Sequence, residues 1–162
     1  MKLGIDATAH IRVSGNWDTP TWLELDGVSD LDEACDWDKA DVIIRRSLVK
    51  QGAKTTVDIG ISCKILREPG NDGYDAIVAA LRTRDTVDLL VLDGGIDQNG
   101  SEGVRYIAQV HKGGGSQNTG DALYRDIVFV PYPSADEDEV PQWASVTGSD
   151  GLSFTPITPD ED

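Results

Sequence analysis

The sequence predicts a mainly β fold, antiparallel, with one short flanking α-helix at about residues 71–83. The first observation behind this class is the alternation of apolar and polar residues from Ala53 to Ile65. The second is a series of shorter apolar or alternating segments separated by turn residues. The third is that only one segment, at residues 71–83, has the helical spacing of apolar residues.

The long alternating segment organises the prediction. Successive side chains of a strand point to opposite faces, so its odd positions form an apolar face and its even positions a polar one. It is much longer than the usual strand of about five or six residues. It therefore needs several partner strands and predicts a sizeable antiparallel sheet with one solvated face. The apolar face consists of Val57, Ile59, Ile61, Cys63 and Ile65, and the polar face includes Lys54, Asp58, Ser62 and Lys64.

Four shorter strands are predicted before this segment. Asp26-Gly27 is a strong turn signal between the second and third. Lys39-Ala-Asp41 predicts a further turn, which separates the third strand from the fourth. The four strands are His10–Val13, Thr21–Leu25, Leu31–Trp37 and Val42–Ile44. Trp22 and Trp37, in the second and third of them, are predicted to pack in the core.

The predicted helix follows a run of helix breakers. Tyr74, Ile77, Val78 and Leu81 stand at positions i, i+3, i+4 and i+7, which places them on one helical face. Asn71 or Asp72 is the predicted N-cap. A helix this short is marginal by itself, so its apolar stripe must pack on the sheet or close one end of a barrel.

Three further strands are predicted after the helix. Thr86–Leu92 is the most apolar and is therefore expected to be central, and Val104–Val110 and Asp121–Val130 follow it. Residues 1–145 are predicted to form a single β domain. Residues 146–162 are predicted to be an acidic, proline-containing tail, most of it mobile or ordered only on a partner.

The charge balance excludes two classes of partner. The 162 residues include 29 acidic and 14 basic side chains, for a formal net charge of -15. Specific binding of free nucleic acid needs a basic surface, and an anionic membrane repels an acidic one. The charge either serves solubility or forms a surface that nucleic acid passes without sticking. The amino terminus lacks a signal-peptide pattern, so the sequence predicts a soluble protein made in a cytoplasm.

The sequence predicts no enzyme, no metal site and no cofactor. His10 and His111 lack a neighbouring nucleophile or carboxylate pattern. The best metal candidate is the loop from Asp93 to Glu102, in which Asp97, Asn99 and Ser101 alternate as in calcium loops. Turn chemistry explains the same residues and is favoured. Cys35 and Cys63 could form a disulfide only if their strands were neighbours.

The order of motifs resembles the major tail tube protein of long-tailed bacteriophages. The resemblance extends over most of residues 15–145, and the order and spacing of its motifs are more specific than any one of them. The motifs are Thr19-Pro-Thr-Trp-Leu-Glu24, Lys39-Ala-Asp-Val-Ile-Ile-Arg45, the long alternating strand, Asp72-Gly-Tyr-Asp-Ala-Ile-Val-Ala-Ala-Leu81, Leu90-Val-Leu-Asp-Gly94, Gly103-Val-Arg105, Asp121–Pro131 and Pro141-Gln-Trp143.

The resemblance implies an antiparallel β-sandwich or barrel of two sheets flanked by one short α-helix. It also implies a subunit that forms hexameric rings, which stack into a tube for the passage of double-stranded DNA without specific binding. It also implies contacts with the tape measure, tail terminator and distal tail proteins, and a location in the virion tail. The loop before the long strand would reach a neighbouring subunit, although it departs from the Arg-Gly-Ser-Gly-like stretch of many relatives. The predicted contact residues are Arg45, Arg46, Leu48, Lys50, Lys54 and, behind an acidic loop, Trp143.

Three further expectations accompany the interpretation as a tail tube protein. The loop cations Arg45, Arg46 and Lys50 are expected to pair across subunits with the acidic run Asp136–Glu139. The tube subunit of a contractile injection device has a similar fold and is an alternative. A monomeric acidic β-sandwich that binds calcium or carbohydrate is another, from a different class of function.

Overall fold

The computed structural model describes residues 2–42, 51–115, 119–120, 122–148 and 151–158. These residues contain nine strands, one α-helix and a short 3-10 helix, Gly4–Asp6. The predicted class, mainly β and antiparallel with one short helix, is confirmed. The elements are β1 (Thr8–Gly15), β2 (Pro20–Glu24), β3 (Val28–Val42), β4 (Gln51–Leu66), α1 (Asp72–Arg82), β5 (Thr86–Leu92), β6 (Glu102–Lys112), β7 (Tyr124–Pro131), β8 (Gln142–Thr147) and β9 (Gly151–Pro156).

The strands form one hydrogen-bonded antiparallel sheet where two separate sheets were expected. Its main order is β2-β1-β5-β6-β7-β4-β3. The sheet branches at β6, whose first residues pair with β8 and whose last residues pair with β7, and β9 then pairs with β8. Within the described residues no pair joins β2 to β3, so the sheet is not a closed barrel.

The main core lies between the sheet and α1. The odd-numbered side chains of β4 are buried from Ile59 to Ile65, as the alternation predicted. They meet β7 through Ile127 and Phe129, and α1 contributes Ile77 from above β5 and β6. The helix begins where predicted, since the side chain of Asn71 accepts a hydrogen bond from the Tyr74 amide at 3.2 Å.

A second buried layer lies on the other face of β5. Leu90 and Leu92 pack there against Ala144 and Val146 of β8, so the β8–β9 hairpin covers this face. β5 is therefore buried on both faces, which explains its nearly continuous apolar sequence and confirms its interior position.

The second layer contains a buried ion pair. Arg105 of β6 is 1% exposed and donates two hydrogen bonds to the Asp88 carboxylate, at 3.0 and 2.6 Å. It donates a third to the Trp17 carbonyl at 3.0 Å, and its guanidinium lies 3.6 Å from the centroid of the Trp17 ring and 4.7 Å from that of Phe154. One arginine thus connects the loop after β1, the centre of the sheet and the last strand.

His10 of β1 is also buried here, at 2% exposure, and its Nδ1 atom has no hydrogen-bond partner. Burial lowers the pKa of His10 from its ordinary value of 6.5, although Glu24 and Asp97 oppose this. The unfolded chain therefore takes up a proton that the folded chain resists. The titration of His10 therefore does not change the free energy of unfolding above pH 6.5, and it lowers this free energy as the pH falls below that value.

We expect His10→Gln to remove this acid sensitivity. Between about pH 8 and pH 5.5, the wild type should lose stability relative to the variant, by at most about 1.4 kcal/mol per pH unit. Urea unfolding at several pH values measures the difference. His111→Gln, at the exposed second histidine, is the matched control and should track the wild type. Parallel curves for wild type and His10→Gln would contradict the prediction.

Several sequence predictions need correction. β3 runs without a break through Lys39–Asp41, where a turn was predicted, because this segment pairs residue by residue with β4. Residues 151–156, assigned to a mobile tail, form β9. Trp37, expected in the core, is 41% exposed. β3 and β4 are neighbours, but Cys35 pairs with Ile59, and both cysteines are free thiols.

Candidate subunit interface

The outer parts of β3 and β4 form a two-stranded ribbon that extends beyond the rest of the sheet. β4 pairs with β7 only from Ile61 to Leu66, so residues 51–60 pair with β3 alone. Most side chains in the outer halves of both strands are exposed. A two-stranded ribbon is at best marginally stable in water. The exposed backbone and side chains here therefore favour a surface that a partner covers.

The ribbon carries an exposed aromatic residue next to an apolar groove. The ring of Trp37 lies beneath the Lys54 ammonium, whose nitrogen is 5.1 Å from the ring centroid. The groove has a volume of about 310 Å³. We call it the Trp37 groove, and its main apolar lining is Trp37, Val57, Ile59, Pro131, Pro141 and Ile157. An open apolar groove of this kind is typical of an interaction site.

Acidic residues dominate the polar face of the ribbon. Asp36 and Asp58 stand directly opposite each other in the register of β3 and β4, an arrangement of like charges that destabilises a strand pair. Asp38 accepts a hydrogen bond from the Thr56 hydroxyl at 2.7 Å. Stability of the isolated chain does not explain this facing pair of carboxylates.

Three strands of the described sheet are unpaired along the whole of one edge. β2 and β3 end the main strand order, and β9 ends the branch. Each of them has a single hydrogen-bonded neighbour. Unpaired edges present backbone donors and acceptors that readily pair with another chain. The edge of β3 is the longest of the three and forms one side of the ribbon.

The predicted contact residues are placed as follows. Arg45, Arg46, Leu48 and Lys50 lie outside the described residues. Lys54 is exposed on the ribbon. Trp143 lies half-buried in β8 and packs against the main core of its own chain, and its contact with a neighbouring subunit remains a prediction.

Sequence reasoning missed Trp37 as a candidate interface residue, although a signal was present. Asp36 and Asp38 flank it directly, and a further acid, Asp41, follows in the same strand. A tryptophan among so many carboxylates is poorly suited to a dry core, because the strand that carries it must leave them in water.

In the loop considered for calcium, Asp93 and Ser101 use side-chain oxygen atoms in hydrogen bonds within the chain. Asp93 accepts the Glu102 amide at 2.8 Å and the Lys2 ammonium at 2.7 Å, and the Ser101 hydroxyl donates to the Gly95 carbonyl. Burial raises the pKa of Asp93, but the hydrogen bonds from Lys2 and Glu102 outweigh it and lower the pKa overall. Across the described residues, no group of three or more His, Cys, Asp or Glu side chains is placed to hold a metal ion.

The chain shares its fold with solved chains of gene transfer agent particles. One is from the tail of an empty particle, determined by helical refinement with C6 symmetry, with a TM-score of 0.64 at 10% sequence identity. Another is from the virion of a native particle, with a TM-score of 0.62 at 11% identity. In both comparisons the match covers 96% of this chain and 99% of the other. At these identities the comparisons establish the fold.

No protein-family model matches the sequence, and no curated protein sequence matches it. No helix in the described part of the chain is long and apolar enough to cross a membrane.

Proposed function

We propose that this chain is a structural, non-catalytic subunit of a viral tail tube, which assembles with copies of itself into stacked hexameric rings. The observation that carries the proposal is the shared fold with a chain from a C6-symmetric particle tail, because it spans almost the full length of both chains. The order of sequence motifs, which resembles the tail tube proteins of long-tailed bacteriophages, supports the same function independently.

The ribbon supports assembly with further copies. A chain that worked alone would gain little from a two-stranded extension that leaves Trp37 half in water and a long edge of β3 unpaired. In a ring, heterologous contacts between neighbouring copies cover both features and close on themselves. The residues between β3 and β4 in the sequence, which include Arg45, Arg46, Leu48 and Lys50, would then contact the adjacent subunit or ring.

The acidic polar face supports a channel for DNA. Asp36 and Asp58 repel each other in the isolated chain, and the whole sequence carries a net charge of -15. A surface of carboxylates repels phosphates, so double-stranded DNA would pass it without binding. Within this proposal the further partners are the tape measure, tail terminator and distal tail proteins. The subunit would be made in the host cytoplasm and reside in the tail of the virion.

Negative-stain electron microscopy of the purified protein, with light scattering on the same sample, tests the proposal. We expect rings or hollow tubes, and a scattering mass many times that of the 17.5 kDa chain. Reversing the charge of both Arg45 and Arg46 should lower the yield of tubes, because these cations are proposed to meet the acidic run Asp136–Glu139. A protein that remains monomeric at high concentration and at every salt concentration would contradict the proposed function.

A further inference from the structure

The amino-terminal arm, Lys2–Asp6, presents two apolar side chains to solvent. Ile5 is 86% exposed and Leu3 is 55% exposed. The arm is nevertheless held in place, because the Lys2 ammonium bonds to the Asp93 carboxylate at 2.7 Å and to the Gly100 carbonyl at 2.6 Å. The Asp6 carboxylate also accepts the Leu3 amide at 3.3 Å. A fixed arm with exposed Leu3 and Ile5 resembles the apolar anchor of an interface.

The Trp37 groove on the same chain is the complementary feature. It is concave and largely apolar, and no described residue of its own chain fills it. The groove carries Lys54 over its tryptophan. The arm carries Asp6 next to Ile5, and its one cation, Lys2, is already paired with Asp93. Opposite charges thus accompany the two apolar surfaces.

The arm does not reach the groove of its own chain. Gly4 and Ile5 border a wide groove of about 980 Å³ together with Ser62 and Lys64, which lie on the polar face of β4. Val57 and Ile59 line the Trp37 groove from the opposite, apolar face. Ser62 and Val57 are also about 16 Å apart along the strand. The arm, fixed to Asp93, therefore faces away from the Trp37 groove of its own chain.

We propose that Leu3 and Ile5 of one copy pack into the Trp37 groove of the next copy. This inference rests on the proposed self-assembly and names two surfaces that meet in it. The arm and the groove are different surfaces on opposite faces of β4, so the contact is heterologous. Repeated from copy to copy, such a contact generates a closed ring or an open stack.

Disulfide cross-linking tests the contact. In a Cys35→Ser background, Ile5→Cys is combined with Thr55→Cys, a residue that lines the groove. Cys63 can remain, because burial raises its pKa to about 12 and suppresses the reactive thiolate. After mild oxidation of the assembled protein, we expect a ladder of linked chains on non-reducing gels. Ile5→Cys with Asp18→Cys, an exposed residue in the turn after β1, is the control and should give no ladder.

A second pair of variants covers the case in which the cysteines disturb assembly. Ile5→Asp should raise the concentration needed for assembly about tenfold or more, and Ile5→Leu should leave it unchanged. Neither variant should shift the melting temperature of the unassembled chain, because the Ile5 side chain is largely exposed there.

The outcomes separate this inference from the proposed function. A ladder from Ile5→Cys with Thr55→Cys but not from the control pair, together with impaired assembly of Ile5→Asp, supports both the arm-to-groove contact and the proposed function. Rings or tubes without that ladder, or with normal assembly of Ile5→Asp, overturn the arm-to-groove contact and leave the tube subunit standing. A wild-type protein that never assembles overturns both.

Discussion

Arg105→Met is expected to destabilise the folded chain by about 3–5 kcal/mol. Arg105 supplies three hydrogen bonds inside the second buried layer, two of them to Asp88. Burial raises the pKa of Asp88, and the guanidinium of Arg105 opposes that shift by holding the carboxylate in its charged form. Without Arg105, the buried carboxylate keeps one cationic partner among the described residues, the more distant Arg12 at 3.4 Å, and the Trp17 carbonyl loses the Arg105 donor.

Urea unfolding measures this loss, and two further variants identify its cause. Arg84→Met changes an exposed arginine in the same way and should stay within about 0.5 kcal/mol of the wild type. Arg105→Met combined with Asp88→Leu removes both buried charges and should recover most of the stability, because the cation left without its partner, Arg12, is 22% exposed and can be hydrated. A cost below about 1 kcal/mol for Arg105→Met alone would show that the ion pair is dispensable.

The ion pair also shows where sequence reasoning stops. The alternation in β4 predicted which side chains enter the core, because a strand with one buried face has a strict period of two. The spacing of Tyr74, Ile77 and Val78 predicted α1 for a similar reason. Asp88 stands in the most apolar strand and Arg105 in the next one, and each alone resembles a polar residue on a solvated face. Their pairing depends on the register of β5 with β6, which is not a local property.

The same limit applies to the candidate interface. The predicted turn at Lys39–Asp41 is wrong because pairing with β4 overrides the local preference of polar residues for a turn. The predicted mobile tail is partly wrong because β8 provides a free edge to which residues 151–156 add as β9. Lys54 was predicted as a contact residue from the resemblance, and its contact with a neighbouring subunit remains a prediction. The Trp37 groove was not predicted, since it is built from β3, β4 and the segments around Pro131, Pro141 and Ile157.

Gly103→Ala is expected to destabilise the chain by about 3 kcal/mol or more. Gly103 lies at the branch of the sheet, where β6 pairs with Leu92 of β5 on one side and with Ala144 of β8 on the other. A Cβ atom at this position would overlap the backbone carbonyl of Val91. The Val91 carbonyl belongs to the backbone, which the hydrogen bonds between β5 and β6 hold in place. It therefore cannot move away as a flexible side chain would.

Gly60→Ala is the matched control within the same sheet. Gly60 lies in β4, and a Cβ atom added there would meet no atom within 4 Å. That substitution should be neutral or stabilise the chain by up to about 1 kcal/mol, because alanine restricts the unfolded chain more than glycine does. Denaturation of both variants against the wild type measures the contrast. If Gly103→Ala proved as well tolerated as Gly60→Ala, β6 would have room for side chains at the branch. The close approach of β5 to β6 at this position would then not depend on glycine.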